Sequence, residues 1–200
     1  PVGRAPEIAM AAAARGAQVE VVGRVGDDRA GDALVIALAG AGVGHAAVLR
    51  DPVHATPILV PAPVDDDPDP FADDPPVASR PAGGGPRLEP ADVALGLSYL
   101  TSFDVLIVTD DVPAIALPAC VEGMQFADAH LVVIVPPGGL PPETLPADAT
   151  VLAAPDVADD GAFAALVGAY AAAVDAGEEP AAAFRIATGA VGWETAPAEA

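Results

Sequence analysis

The chain has 200 residues, 52% of them hydrophobic, and 29 acids against eight bases, a formal net charge of −21. That length and apolar content suit one α/β domain with a sizeable core, while a field of this sign repels nucleic acid and anionic membrane, so neither is an expected partner. No apolar run reaches the roughly 18 residues of a membrane span and no basic signal-like segment opens the chain, so the cytoplasm is the expected location.

All eight bases are Arg. A lone cysteine, Cys120, allows no intrachain disulfide and reads as a small core residue. His45, His54 and His130 have no partner at helical spacing, so no metal site is expected.

Elements follow in chain order. Pro6 suits a first helical turn, and the alanine-rich run behind it predicts a helix over 6–15 closed by Gly16. A strand follows over 18–22. Gly23 and Gly26 read as a tight strand-to-helix turn, with Asp27 or Asp28 capping a helix that runs to about Ala39 before Gly40 and Gly42 stop it. Segments 46–49 and 57–60 are short strand candidates. From about 61 to 90 the chain turns acidic and Pro-rich (Asp65-Asp66-Asp67, Asp73-Asp74, Gly83-Gly84-Gly85). That stretch lacks apolar periodicity and is expected to form a mobile loop.

Order resumes with a helix over 92–100. The continuous apolar runs 104–109 and 131–135 read as strands buried on both faces of a parallel sheet, with a helix over 113–126 between them. A weaker strand, 150–153, precedes helices over 160–174 and 180–192, joined at Ala176-Gly177. The alternation predicts a single α/β domain spanning 1–200: a doubly wound, mainly parallel sheet containing 18–22, 104–109 and 131–135, with helices on both faces.

The segment Val22-Gly23-Arg24-Val25-Gly26-Asp27-Asp28-Arg29-Ala30-Gly31 stands between a helix ended by Gly16-Ala17 and the pairs Gly42-Val43 and Thr56-Pro57. Further on come Val135-Pro136-Pro137-Gly138, then Ala147-Asp148-Ala149-Thr150-Val151-Leu152, and a terminal helix pair carrying Gly161-Ala162-Phe163 and Gly189-Ala190. This order resembles the ribokinase (PfkB-type) carbohydrate kinases. The resemblance implies a ribokinase-like fold and, for the family, ATP- and Mg²⁺-dependent phosphoryl transfer to a sugar or nucleoside.

The family's functional residues carry over poorly. Its sugar-binding turn, G-G-x-x-x-N, falls on Val2, Gly3 and Glu7. Glu7 accepts from a sugar hydroxyl or simply favours the dipole of a first helical turn. The family's G-A-G-D turn falls on Ala158, Asp159, Asp160 and Gly161. Two carboxylates thus stand where backbone amides would hold an anion, and glycine stands at the base position. Asp160 is the one candidate base; its other reading is a helix cap. Pro155-Asp156 stands where the family has N-E, and the long block of strands expected after it is missing. The family's first strand has no counterpart before Pro1. Asp110-Asp111, at the carboxyl end of a buried strand, reads equally as a ligand position or a helix cap.

The expected protein is therefore a catalytically impaired carbohydrate-kinase homologue that keeps at most sugar- or nucleoside-type binding. One alternative is an active kinase, using ATP and Mg²⁺, whose missing motifs lie outside this chain. The other is a non-enzymatic interaction subunit that uses the acidic loop to meet a basic partner.

Overall fold

The computed structural model describes residues 3–58, 84–100, 102–155 and 160–191. The expected mobile loop falls largely on 59–83, and the turn of Ala158 and Asp159 on 156–159; both lie outside the described residues. So does the far half of the strand candidate 57–60, and residues 57–58 are not in a strand.

Twelve elements alternate along the described chain. They are α1 (Arg4–Ala13), β1 (Glu20–Gly26), α2 (Arg29–Gly40), β2 (Gly44–Asp51), α3 (Pro90–Ser98), β3 (Val105–Val108), α4 (Leu117–Ala127), β4 (His130–Val135), β5 (Thr150–Ala153), α5 (Asp160–Asp175) and α6 (Pro180–Ala190), with a 3-10 turn, Ala114–Ala116, leading into α4. Every ladder is parallel, and helices cover both faces. This is the expected α/β class.

β4 is the centre of one ladder. Its apolar run has alternate residues on opposite faces, the period-2 geometry of a strand. Leu131, Val133 and Val135 pack with Val93 and Leu97 of α3 and with Leu117, Cys120 and Met124 of α4. On the other face Val132 packs against α5 and α6, and Ile134 against Ile8 of α1 and Phe163 of α5. Burial pushes the Cys120 thiol up to about 11, as expected of a core residue rather than a nucleophile.

One expectation fails. Segment 18–22 does not share a hydrogen-bonded sheet with 104–109 and 131–135. The strands form two ladders, β1-β2 and β3-β4-β5, with no backbone pairing between β1 and β3. The apolar pattern reports burial on both faces, which helices supply for both ladders, and is silent about which edge meets which.

Two local expectations also shift. β1 runs through Gly23 and Gly26, so these glycines lie in the strand rather than in a turn after it. Gly26 is required by close approach: a Cβ there would stand 2.5 Å from Asp28 Oδ2 and 2.7 Å from His54 O. Order also resumes earlier than expected. Leu88 packs against the α3–α4 core cluster, and Glu89 and Asp92 form a reciprocal capping box at the start of α3.

The tightest helix contact is α1 on α5. A Cβ at Gly168 would meet Ala11 Cβ at 2.7 Å and Ala12 N at 2.8 Å, so the absent side chain lets the two helices touch. We expect Gly168→Val to lower unfolding stability by about 2 kcal/mol, because backbone atoms of α1 cannot rotate out of the way. Urea denaturation checks this: a midpoint unchanged from wild type would show that α1 shifts freely on α5.

Candidate functional site

Ligands of open α/β sheets bind beyond the carboxyl ends of strands. Each ladder carries a polar cluster there.

The first closes the β1-β2 ladder. Asp28 adopts an extended N-cap conformation, and its Oδ1 accepts from the Gly31 N–H at 2.7 Å. Its Oδ2 accepts from the Thr56 N–H at 2.7 Å, and Thr56 Oγ1 in turn accepts from the Gly26 N–H at 2.8 Å. The Gly31 and Thr56 amides hold the Asp28 carboxyl below its ordinary range. Asp51, the last residue of β2, accepts from the N–H groups of Val53 (2.8 Å) and His54 (3.0 Å) and pairs with the His54 ring at 3.0 Å. The two amides first, then the imidazole, lower its carboxyl to about 2. Arg50 donates to Gly26 O and pairs with Asp32 at 2.7 Å. This cluster spends its polar groups on itself. The glycine-and-aspartate motif is thus a structural knot tying β1, α2, β2 and the Thr56-Pro57 segment, not a phosphate cradle.

The second cluster closes β3. Thr109 Oγ1 donates to Asp111 Oδ1 at 2.5 Å, and Pro113, not Asp111, flanks the following 3-10 turn. The helix-cap reading of Asp111 is therefore set aside. Asp110 Oδ2 accepts from Nη1 of Arg4 at 2.5 Å, with side-chain exposures of 8% and 5%. A second nitrogen of Arg4 reaches Pro155 O, beyond β5, at 3.4 Å. The other oxygen, Asp110 Oδ1, is buried and meets no donor among the described residues. Arg4 is the residue that sequence reasoning passed over. A cation in the first turn of a helix opposes the helix dipole, so its position was a signal that a carboxylate had to face it.

Of the expected ligand residues, Gly3 and Glu7 stand on either side of Arg4 at the start of α1. Gly3 flanks α1 with φ +88°, a conformation that favours glycine. Glu7 lies half-buried in the first turn of α1, with its N–H bonded to Gly3 O. α5 begins at Asp160, so that residue stands at a helix start. Among the described residues no hydrogen bond joins Glu7 to Asp110. Among the described residues no cluster of three His, Cys, Asp or Glu side chains could hold a metal ion. His130 is tied to Thr150 Oγ1 and the Tyr170 hydroxyl, and burial lowers its pKa against an opposing pull from Asp148. Nor is any described helix long and apolar enough to cross a membrane.

Between the two ladders lies a cavity of about 950 Å³. Its walls come from α1, β1, β2, α3, β3 and α5, and Thr109 stands on it.

Comparison of the sequence with protein-family models and with curated proteins finds no match. Comparison of the fold does. The protein Sa239 superposes with a TM-score of 0.70 at 14% identity, over 94% of this chain and 80% of that one. A PfkB protein from Polaromonas sp. JS666 gives 0.64 at 18% identity, over 94% and 83%. A candidate ribokinase II from E. coli gives 0.67 at 13% identity, over 92% and 79%, and has also been solved with ATP and Mg²⁺. The chain therefore has the ribokinase-like fold.

Two predictions follow from the clusters. Arg4→Met should strip the partner from a buried carboxylate and cost about 3 kcal/mol or more, whereas Arg4→Met combined with Asp110→Leu should recover much of that loss. A double-mutant cycle by chemical denaturation measures it, and additive losses would mean the pair is not coupled. Asp51 has a lowered folded-state pKa, so the unfolded chain binds its proton first as pH falls. Its stabilisation is present above about pH 4 and is lost as pH falls toward about 2. The melting-temperature gap between wild type and Asp51→Asn should accordingly be full at pH 5 and close as pH falls toward 2.

Proposed function

We propose that this protein is a ribokinase-like carbohydrate-kinase homologue, one domain over 1–200, that binds a small polyhydroxylated ligand of sugar or nucleoside type and transfers phosphate poorly or not at all. The observation that carries the reading is Asp110. Its buried Oδ1 is an acceptor without a donor, placed just past the carboxyl end of β3. A ligand hydroxyl would satisfy it at little cost, whereas leaving it bare is expensive.

The same corner is poorly suited to a triphosphate. Arg4 carries the cation, and Asp110 neutralises it. α5 opens on Asp160 where an anion would seek bare amides, and the sequence resemblance puts Gly161 at the position of the family's base. Each lost anion-holding donor is worth roughly 3 kcal/mol in the transition state, so loss of the cradle alone costs several orders of magnitude in rate. Gly3 and Glu7, on the first turn of α1, border the ligand in this reading. ATP and Mg²⁺ belong to the kinase alternative, in which the missing motifs lie outside this chain; within the chain Asp160 is the one candidate base. The cytoplasmic location expected from the sequence fits either reading.

The test pairs two measurements. ADP release with Mg²⁺ and ATP, over a panel of pentoses, hexoses and nucleosides, should stay at background. Thermal shift without nucleotide should show stabilisation by at least one member, reduced in Asp110→Asn. Robust turnover abolished by Asp160→Asn would overturn the impairment. Absence of any ligand shift across the panel would overturn the binding role.

A further inference from the structure

The amino ends of β4 and β5 hold a polar group that neither carboxyl-end cluster uses. His130 opens β4 and Thr150 opens β5. Tyr170 of α5 reaches both. Its hydroxyl lies 3.0 Å from His130 Nε2 and 3.0 Å from Thr150 Oγ1, and Nε2 lies 2.9 Å from that Oγ1. Each of the three atoms is thus within hydrogen-bond reach of the other two. Tyr170 is 2% exposed and packs with Val132 of β4, Leu166 and Ala173 of α5, and Ala183 and Ala187 of α6. Phe184 of α6 meets the Tyr170 ring edge-on at 6.4 Å. One triangle therefore ties β4 and β5 to the α5–α6 pair.

Hydrogens limit what this triangle can hold. Each hydroxyl carries one, and Nε2 carries either a lone pair or a hydrogen. With a neutral ring protonated at Nδ1, Nε2 accepts from one hydroxyl and that hydroxyl accepts from the other. Both hydrogens then stay inside. Protonation at Nε2 adds a third hydrogen and removes an acceptor. Nε2–H donates to one oxygen, one hydroxyl hydrogen serves the Thr150–Tyr170 contact, and the last hydrogen is left over. If it belongs to Tyr170, it faces an apolar cluster. If it belongs to Thr150, that hydroxyl has no other acceptor among the described residues, so water must enter to take it.

We propose that the triangle is a proton-sensitive latch, closed on neutral His130 and opened by protonation at Nε2, which loosens α5 and α6 from the amino ends of β4 and β5. The charges on neighbouring elements are all exposed: Asp104 ahead of β3, Asp128 after α4, Asp148 ahead of β5, Asp175 closing α5 and Arg185 on α6. Asp104 also takes the His130 N–H on its backbone carbonyl at 2.8 Å. Among these charges Asp148 alone pulls on the ring toward its charged form, and burial outweighs it, so the imidazole titrates below its ordinary value. A folded-state pKa below the unfolded one means that the unfolded chain takes the proton first as pH falls. The stabilisation is whole above about pH 6.5 and is lost as pH drops through the folded value, a window above that of Asp51. α5 can carry the change further, because α1 rests on it at Gly168, two residues before Tyr170. The proposal is independent of any ligand at Asp110.

The test uses the whole chain, isotope-labelled for magnetic resonance. At about pH 7.5 the His130 ring should carry its proton on Nδ1, with Nε2 bare, and a slowly exchanging Tyr170 hydroxyl proton should be visible, identified by its absence in Tyr170→Phe. That resonance should vanish as Nε2 gains its proton. Amide exchange, corrected for the intrinsic rate, should show α5 and α6 losing protection by about threefold or more between about pH 7.5 and 5.5, and His130→Gln should abolish that loss. An Nε2–H tautomer in the neutral protein would overturn the latch, because the triangle would then hold its third hydrogen already. So would a Tyr170 hydroxyl resonance that persists on the protonated ring, or the same pH response of α5 and α6 in His130→Gln. The tautomer is read on the wild-type chain, so the proposal stays open to refutation even if a variant fails to fold.

Discussion

Backbone hydrogen bonds do not hold this fold together across its middle; helix packing does. Among the described residues the two ladders share no strand pairing, so their relative position depends on α1 and α3 lying across both. α1 has the stricter task. Its Ile8 and Ala9 point into different clusters, and neighbouring residues on a helix diverge by about 100°, so a small roll would withdraw one or the other. Gly168 fixes the depth of α1 on α5, and Arg4 on Asp110 fixes its amino end. The ion pair thus acts less as a source of net stability than as a register pin, since burying two charges costs nearly what their attraction returns.

The acidic charge is distributed with the same economy. The carboxylates that matter to the fold are held by amides or cations at strand ends: Asp28 by the Gly31 and Thr56 amides, Asp51 by those of Val53 and His54, Asp110 by Arg4. With eight arginines for 29 acids, most carboxylates must be satisfied by backbone or water. Amides at turns and helix starts are the available donors, which explains why the aspartates gather at carboxyl ends of strands, where turns begin. The acidity at the strand ends is partly this architectural habit, and among the described residues Asp110 Oδ1 is the buried carboxylate oxygen left without a hydrogen-bond partner.

Much of the fold was legible in the residues. Strands 104–109 and 131–135 announced themselves because burial on both faces needs an unbroken apolar run, and β4 lies within one residue of its predicted span. The helix over 160–174 was legible because alanine has little else to do than form helix. What stayed hidden was anything decided by edges. Nothing in Val21 or Leu106 says that their strands leave an interval between them. Gly23 and Gly26 read as a turn because glycine marks both turns and close approaches, and only the carbonyl of His54 beside Gly26 separates the two meanings. Arg4 was missed for a similar reason: a lone arginine at a helix start looks like surface until Asp110, 106 residues away, is seen to face it.

The cavity between the ladders and the polar cluster past β3 meet at one residue. Thr109 borders the cavity, anchors Asp111 through its hydroxyl, and immediately precedes Asp110. β3 pairs with β4 alone among the described strands, so the chain beyond Val108 is positioned by that pairing and by Arg4 on Asp110. The Thr109 hydroxyl acts on Asp111 and on neither restraint, so Thr109→Val, which keeps the residue's shape, should release Asp111 at a cost of about 1 kcal/mol and leave the Arg4–Asp110 pair in place.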